Sequence, residues 1–238
     1  MLFHFKEFAV KQSASAMKVS TDGVLLGAWT PVGTGGRILD VGTGTGLLSL
    51  MLAQRTDSAY IEAVEIDEAA YGECCENFWN SAWRHRLKAY FSSFQDFVSA
   101  PITQTKGYDL IISNPPFYTA NYKAPAAARH IARSAEALPF EVLLDGVSKL
   151  LLPLGYFSVI IPYAEEGYFI GLAADYGLHL QQGLHTKGSE NSAIKRSLLL
   201  FGKEAVQEPA FDTLTIEISR GEYTSAYQSL TKDFYLKF

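Results

Sequence analysis

A chain of 238 residues, 48% hydrophobic and 19% charged, can bury about 70% of its surface in one generous domain, and its composition excludes disorder. A net charge of −5 counts against avid, non-specific nucleic-acid binding but leaves room for local basic patches. No apolar run approaches the ~18 residues of a membrane span. The opening Met1–Glu7 lacks the basic-then-apolar order of a secretory signal. Cys74 and Cys75 are adjacent and diverge on a helix, so they make neither a disulfide framework nor a metal site. A reduced cytoplasmic protein without a metal is expected, with a monomer as the default.

In chain order, Arg37–Val41 reads as a short apolar strand closed by glycines, and Leu47–Gln54 as a helix. Tyr60–Glu65 is a second strand. Glu68–Ala82 is a helix with Asp67 placed to cap it, and Leu87–Phe91 a third strand. Tyr108–Ser113 is strongly apolar, as in strands buried on both faces of a parallel sheet. After a loop-rich section from Pro115 to Pro139, Phe140–Leu152 has apolar residues at helical spacing. A fifth strand at Tyr156–Ile161, a helix at Glu165–Tyr176 and strands at Leu178–Leu184 and Ser197–Phe201 follow. This alternation predicts one open, doubly wound α/β domain over 1–238. Residues 1–36 form an amino-terminal lid or substrate extension, 37–204 the Rossmann-like core and 205–238 a carboxy-terminal extension.

Between the first strand and helix lies Asp40-Val-Gly42-Thr43-Gly44-Thr-Gly46. Glycines there let the backbone turn tightly against a ligand at the carboxyl edge of the sheet. A dinucleotide loop wants glycine where Leu47 stands, and no Gly-Lys-Ser/Thr follows to make a P-loop. The spacing resembles the first motif of class I S-adenosylmethionine-dependent methyltransferases. Glu65, at the end of the second strand, is placed to accept ribose hydroxyls, while Asp67 reads as a helix cap. The same resemblance implies that Ile66, Asp96 and Phe97 belong to the cofactor site, Asp96 receiving the adenine amino group.

Asn114-Pro115-Pro116-Phe117 follows the fourth strand directly. An Asn/Asp/Ser-Pro-Pro-aromatic run arises by chance on the order of 1% of the time in such a chain. A plain strand terminator is the bland alternative, and the position beside the glycine motif speaks against it. An adenine or glutamine amine has its lone pair delocalised and is a poor nucleophile. Two acceptors aimed at its N–H bonds, Asn114 Oδ1 and the Pro115 carbonyl, hold it and favour its approach to sp³. Proline fixes the backbone and removes a competing donor, and Phe117 is suited to stack on a planar target. Positioning and electrostatics then supply most of the catalysis.

The stretch Met17–Trp29 and the ending Leu230–Phe238, with the Phe-Lys-Glu-Phe start, resemble the bacterial tRNA1(Val) (adenine-37-N6)-methyltransferases over nearly the whole chain. That resemblance implies a seven-stranded, mostly parallel sheet with the last strand antiparallel, and transfer from S-adenosylmethionine to adenine N6 in tRNA. Lys18, Thr21 and Asp22, expected to contact the cofactor, precede an apolar stretch (Val24, Leu25, Leu26, Trp29) expected as a lid helix over it, a core helix being the plainer reading and the two being compatible. Lys6, Lys11 and Lys18 add positive charge. Arg129, His130, Arg133, Lys195 and Arg196 are candidates for tRNA phosphates, with Tyr118 or Phe117 at the base. Arg84–Lys88 reads as a solvated turn. Glutamine N5-methylation of a protein is the alternative. Those enzymes generally carry an amino-terminal helical domain of ~70 residues, well above the ~40-residue minimum for independent folding, whereas 36 residues precede the first strand here. DNA adenine methylation lacks room for a recognition module, and an intact Asn114–Phe117 argues against a vestigial scaffold.

Overall fold

The computed structural model describes residues 1–15, 17–101, 107–116 and 138–237. A small antiparallel hairpin, β1 (Leu2–His4) and β2 (Ala9–Lys11), leads into helix α1 (Thr21–Trp29). The core then runs β3 (Arg37–Val41), α2 (Leu47–Arg55), β4 (Tyr60–Glu65), α3 (Glu68–Trp79), β5 (Leu87–Phe91), α4 (Phe94–Ser99) and β6 (Tyr108–Ser113). It continues with α5 (Phe140–Leu150), β7 (Leu151–Pro162), α6 (Glu166–Asp175), β8 (His179–Lys187) and β9 (Ile194–Gly202). Strand β10 (Ala210–Thr215), the hairpin β11 (Glu217–Ser219) and β12 (Glu222–Tyr223), and helix α7 (Ser225–Thr231) complete it.

The central sheet has the order β10-β8-β9-β7-β6-β3-β4-β5. All its strands are parallel except β9, which runs antiparallel to both β7 and β8. The seven expected strands are thus present, and an eighth is added: β10, from the carboxy-terminal segment, pairs in parallel with β8. Fifth-strand pairing begins at Leu151 rather than Tyr156, because Leu151 pairs with Tyr108 before an irregularity resets the register at Tyr156 and Leu110.

Alternation along the strands divides the apolar residues between the two faces. Ile38, Ile61, Leu110, Ile112 and Leu198 join α1, α2, Cys74 and Phe78 of α3, and Tyr227 of α7 on one side. Leu39, Val64, Ile111, Phe157 and Leu199 join α4, α5 and α6 on the other. Both chain ends belong to the first of these clusters. Phe5, Phe8 and Val10 pack with Tyr227 and Phe234, and Lys6 N–H donates to the Phe234 carbonyl at 2.9 Å.

From β3 the chain winds outward through β4 and β5, then crosses to β6 and β7 on the other side. The reversal leaves a crevice at the carboxyl ends of β3 and β6, where open α/β sheets bind ligands. Asp40–Gly46 leave β3 there and Asn114 leaves β6, so topology alone brings the two motifs together. Ser113 Oγ donates to the Val41 carbonyl at 2.8 Å and ties the two strand ends.

Candidate active site

The glycine loop is shaped by backbone conformations that side chains resist. Gly44 has φ +57° with open space where a Cβ would stand, whereas Gly46, at φ +86°, would drive a Cβ to 2.7 Å from the Phe78 ring. One glycine opens the loop to a ligand and the other lets it seat on α3. Asn77 of α3 fixes the seat: buried, it donates to the carbonyls of Thr45 (2.8 Å) and Lys11 (3.0 Å).

Asp40 is fully buried beneath the loop. Its Oδ2 accepts from Thr43 Oγ1 (2.5 Å), Ser49 N–H (3.1 Å) and Ser49 Oγ (2.7 Å), yet its Oδ1 is buried with no partner among the described residues. Burial pushes the acid up from 3.8 to about 6, against the pull of those hydrogen bonds. Glu65 Oε1 accepts the N–H groups of Ile66 and Asp67, both at 2.8 Å, and Oε2 accepts Gly44 N–H at 2.7 Å. An ionised carboxylate has about four lone-pair sites, so Oε2 retains one for a hydroxyl. Ile66 beside it is 39% exposed and offers an apolar surface at the strand end. Asp67 Oδ1 accepts Ala70 N–H at 2.7 Å, the cap expected for α3.

Across the crevice, Asn114 Oδ1 is also buried, with no partner among the described residues. Gly23, in the first turn of α1, lies under this side chain: a Cβ there would sit 3.9 Å from Asn114 Nδ2 and 3.0 Å from Leu47. The helix that supplies it is bolted in place. Arg55 donates to the carbonyls of Gly27 and Thr30, both at 2.7 Å, and Thr30 Oγ1 lies 2.7 Å from Ser158 Oγ. Val24, Leu25 and Leu26 are buried. The apolar stretch therefore packs as a core helix whose first turn reaches the site.

A model of the methyltransferase small domain matches residues 15–141. The tRNA1(Val) (adenine(37)-N6)-methyltransferase of Flavobacterium psychrophilum is 48% identical over 99% of this chain and 100% of its own length. That of Pectobacterium carotovorum is 41% identical over 98% and 93%. The chain belongs to the tRNA1(Val) (adenine(37)-N6)-methyltransferase family. A predicted O-methyltransferase from Agrobacterium tumefaciens shares the fold, with a TM-score of 0.70 at 17% identity over 90% of this chain and 96% of that one. This methyltransferase therefore has the class I fold, with β10 as an extra strand.

Other candidate residues of the methyltransferase fall in different places. Lys18 Nζ donates to the carbonyls of Gln12 and Ser15, both at 2.7 Å, and so fastens the loop before α1. Lys6 donates to the Lys232 carbonyl and Lys11 pairs with Glu76, each at 2.6 Å. Asp96 is exposed, accepting from Ser93 Oγ at 2.6 Å as part of the α4 start. The Phe97 ring is buried edge-on against Tyr90, and its N–H is used by the Ser93 carbonyl. Thr21, Asp22, Lys195 and Arg196 line one cavity beside the crevice, with Arg196 Nε donating to Asp22 Oδ2 at 2.7 Å. Phe117, Tyr118, Arg129, His130 and Arg133 lie outside the described residues.

Arg86 corrects the expectation of a solvated turn. It is buried and donates to the carbonyls of Ala53, Thr56 and Ala59 and to Thr56 Oγ1, closing the end of α2. Sequence reading also missed Glu73, which lies buried on α3. Burial opposes its charge, but the N–H groups of Ser13, Ala14 and Ser15 outweigh that cost and hold its carboxyl below the usual range. No local motif announces either residue, since their partners are remote in sequence.

Proposed function

We propose that this methyltransferase transfers the methyl group of S-adenosylmethionine to N6 of an adenine in tRNA, A37 of tRNA1(Val). The observation that carries this reading is the Oδ1 of Asn114, a buried acceptor at the carboxyl end of β6 without a partner among the described residues. Leaving such an atom unpaired costs about 1–3 kcal/mol, a cost offset when an amino group arrives. Oδ1 accepts one N–H of the amine and the Pro115 carbonyl is assigned the other. Held by both, the nitrogen leaves the plane of the base and regains its lone pair for attack.

S-adenosylmethionine, when bound, supplies an electrophilic methyl group on a sulfonium. The residues suit such a ligand. Asp40 Oδ1, buried and unpartnered, fits its ammonium, and the open side of Gly44 admits its backbone. Glu65 takes a ribose hydroxyl, Ile66 the adenine face and Asp96 the adenine amino group. As the new N–C bond would form, the methyl–sulfur bond would break with its electron pair left on a neutral thioether, and the target nitrogen, now cationic, would lose a proton acidic enough to leave to water without a general base. Phe117 is assigned to stack on the base. A tRNA substrate accords with the cytoplasm, and among the described residues no helix is long and apolar enough to cross a membrane.

A glutamine amide presents the same two N–H bonds, so the discriminating experiment offers labelled S-adenosylmethionine with unmodified bulk tRNA and, separately, with cytosolic protein. Label recovered as N6-methyladenosine after nuclease digestion is the expected result. Label confined to protein would replace this reading with glutamine methylation.

A further inference from the structure

Beside the crevice, on the β8–β9 side of the sheet, lies a cavity of about 570 Å³, within the range of small-ligand pockets. Neither Asn114, Pro115 nor Pro116 lines it, so it is not the seat of the target amine. It is nevertheless adjacent. Thr21 and Asp22 line it, and the next residue, Gly23, is the one that approaches Asn114. The Asp22–Arg196 ion pair stands at this boundary.

We propose that this cavity is a second RNA subsite that takes a nucleotide neighbouring the target adenosine, its phosphate against Lys195 and Lys237 and its base against Tyr223. The inference rests on the reading that the substrate is RNA. Charge is the first argument. Among the described residues, Lys187, Lys195, Arg196 and Lys237 line the cavity against only Asp22 and Glu217. Asp22 is already neutralised by Arg196, and Lys187 is paired with Glu190. Lys195 and Lys237 are both exposed and have no carboxylate partner among the described residues. In a chain of net charge −5, two such cations at one cavity favour an anion.

Aromatic lining is the second argument, and it separates RNA from an acidic peptide. Tyr223 and Tyr227 stack with centroids 5.1 Å apart and planes 28° apart, and both line the cavity with Tyr235. Tyr227 is buried and Tyr223 half-buried, so the inner ring backs the outer one. An aromatic platform beside lysines is how proteins hold an unstacked base and its phosphate. The chain ends build this platform: Tyr223 closes β12, Tyr227 sits on α7, and Phe3 of the amino-terminal hairpin completes the wall.

Three variants test the subsite: Lys195→Gln/Lys237→Gln, Tyr223→Ala and Tyr223→Phe. Binding of unmodified tRNA is read by fluorescence anisotropy across a salt series, with calorimetry of S-adenosylmethionine binding to show that each variant is folded. The double lysine variant is expected to lose about tenfold or more in affinity and to flatten the slope of log K against log [salt] by roughly 0.7–0.9 per lost phosphate contact. Tyr223→Ala is expected to weaken binding by roughly 5- to 150-fold, the scale of one base–aromatic stack, and Tyr223→Phe to restore it. Should Tyr223→Ala not fold, the exposed lysines still decide the matter. Wild-type methylation of tRNA with affinity and salt slope unchanged in the lysine variant would overturn the subsite alone. Absence of any tRNA methylation by the wild type would overturn the substrate reading and the subsite with it.

Discussion

Asn114 and Asp40 share one feature, a buried oxygen with nothing to accept among the described residues, and differ in what is assigned to meet it. Asn114→Ala removes the acceptor for the target amine while leaving the glycine loop untouched. Turnover is expected to fall at least ~10²-fold, the scale of losing one preorganised polar contact, with cofactor affinity held. Single-turnover kinetics beside calorimetry separate the two. Asp40 gives a pH signature. Its folded acid titrates at about 6 against 3.8 when unperturbed, so the folded state binds the extra proton between these values. Stability of the cofactor-free protein therefore falls as pH rises through that window, by about 3 kcal/mol for this group. An ammonium placed on Oδ1 pulls the acid back down. Cofactor binding near pH 6 should release a proton, and affinity should climb with pH and level off above about 6. Calorimetry in two buffers of different ionisation enthalpy detects the proton, and Asp40→Asn should abolish both the release and the stability slope. Glu65→Ala should weaken cofactor binding; calorimetry showing unchanged affinity would remove Glu65 from the site.

At the scale of elements, strands were the most legible part. Arg37–Val41, Tyr60–Glu65, Leu87–Phe91 and Tyr108–Ser113 have the expected bounds because each is a short apolar run punctuated by turn residues. Strand β10, Ala-Phe-Asp-Thr-Leu-Thr, escaped because most of it is exposed at a sheet edge and carries little apolar signal. Helix α1 was legible as a helix but not in its role, since a lid and a core helix read alike until Arg55 and Ser158 are seen to pin it. Arg86 shows the limit most clearly: a basic run reads as solvated, and only the fold reveals four acceptors around one guanidinium. Its loss leaves those acceptors buried at the junction of α2 and β4. Arg86→Ala is expected to cost about 3 kcal/mol or more, lowering the thermal midpoint by roughly 6–12 °C, a shift that calorimetric melting would register.

Over the whole molecule, the glycine and Asn-Pro-Pro motifs were legible because they are local and topology brings them to one crevice. The cavity beside them was not, because it is assembled from residues near 3, 22, 190 and 230 that no spacing rule connects. The overall charge of −5 points away from RNA, while the distribution of cations points toward it. The carboxy-terminal segment is also structural. Tyr227 and Phe234 are 3% and 2% exposed, and burying each is worth several kcal/mol, as the about 3–5 kcal/mol cost of large aromatic truncations indicates. A chain ending before residue 224 should therefore lose most of its stability, and a circular-dichroism melt against the full chain would show it.

The bond from Lys6 N–H to the Phe234 carbonyl joins residues 228 positions apart. During synthesis at about 5–20 residues per second, Phe5 and Phe8 wait on the order of tens of seconds for Tyr227 and Phe234 to emerge. Until then these amino-terminal aromatics lack part of their cover, with Phe8 held edge-on by Trp83 and β2 fastened to α3 through Asn77. The proposed subsite is not assembled while the carboxy-terminal segment remains in the ribosome. The order of synthesis makes β10, α7 and the Tyr223 platform the last parts to join, so the proposed tRNA grip is completed only once the carboxy-terminal segment is free.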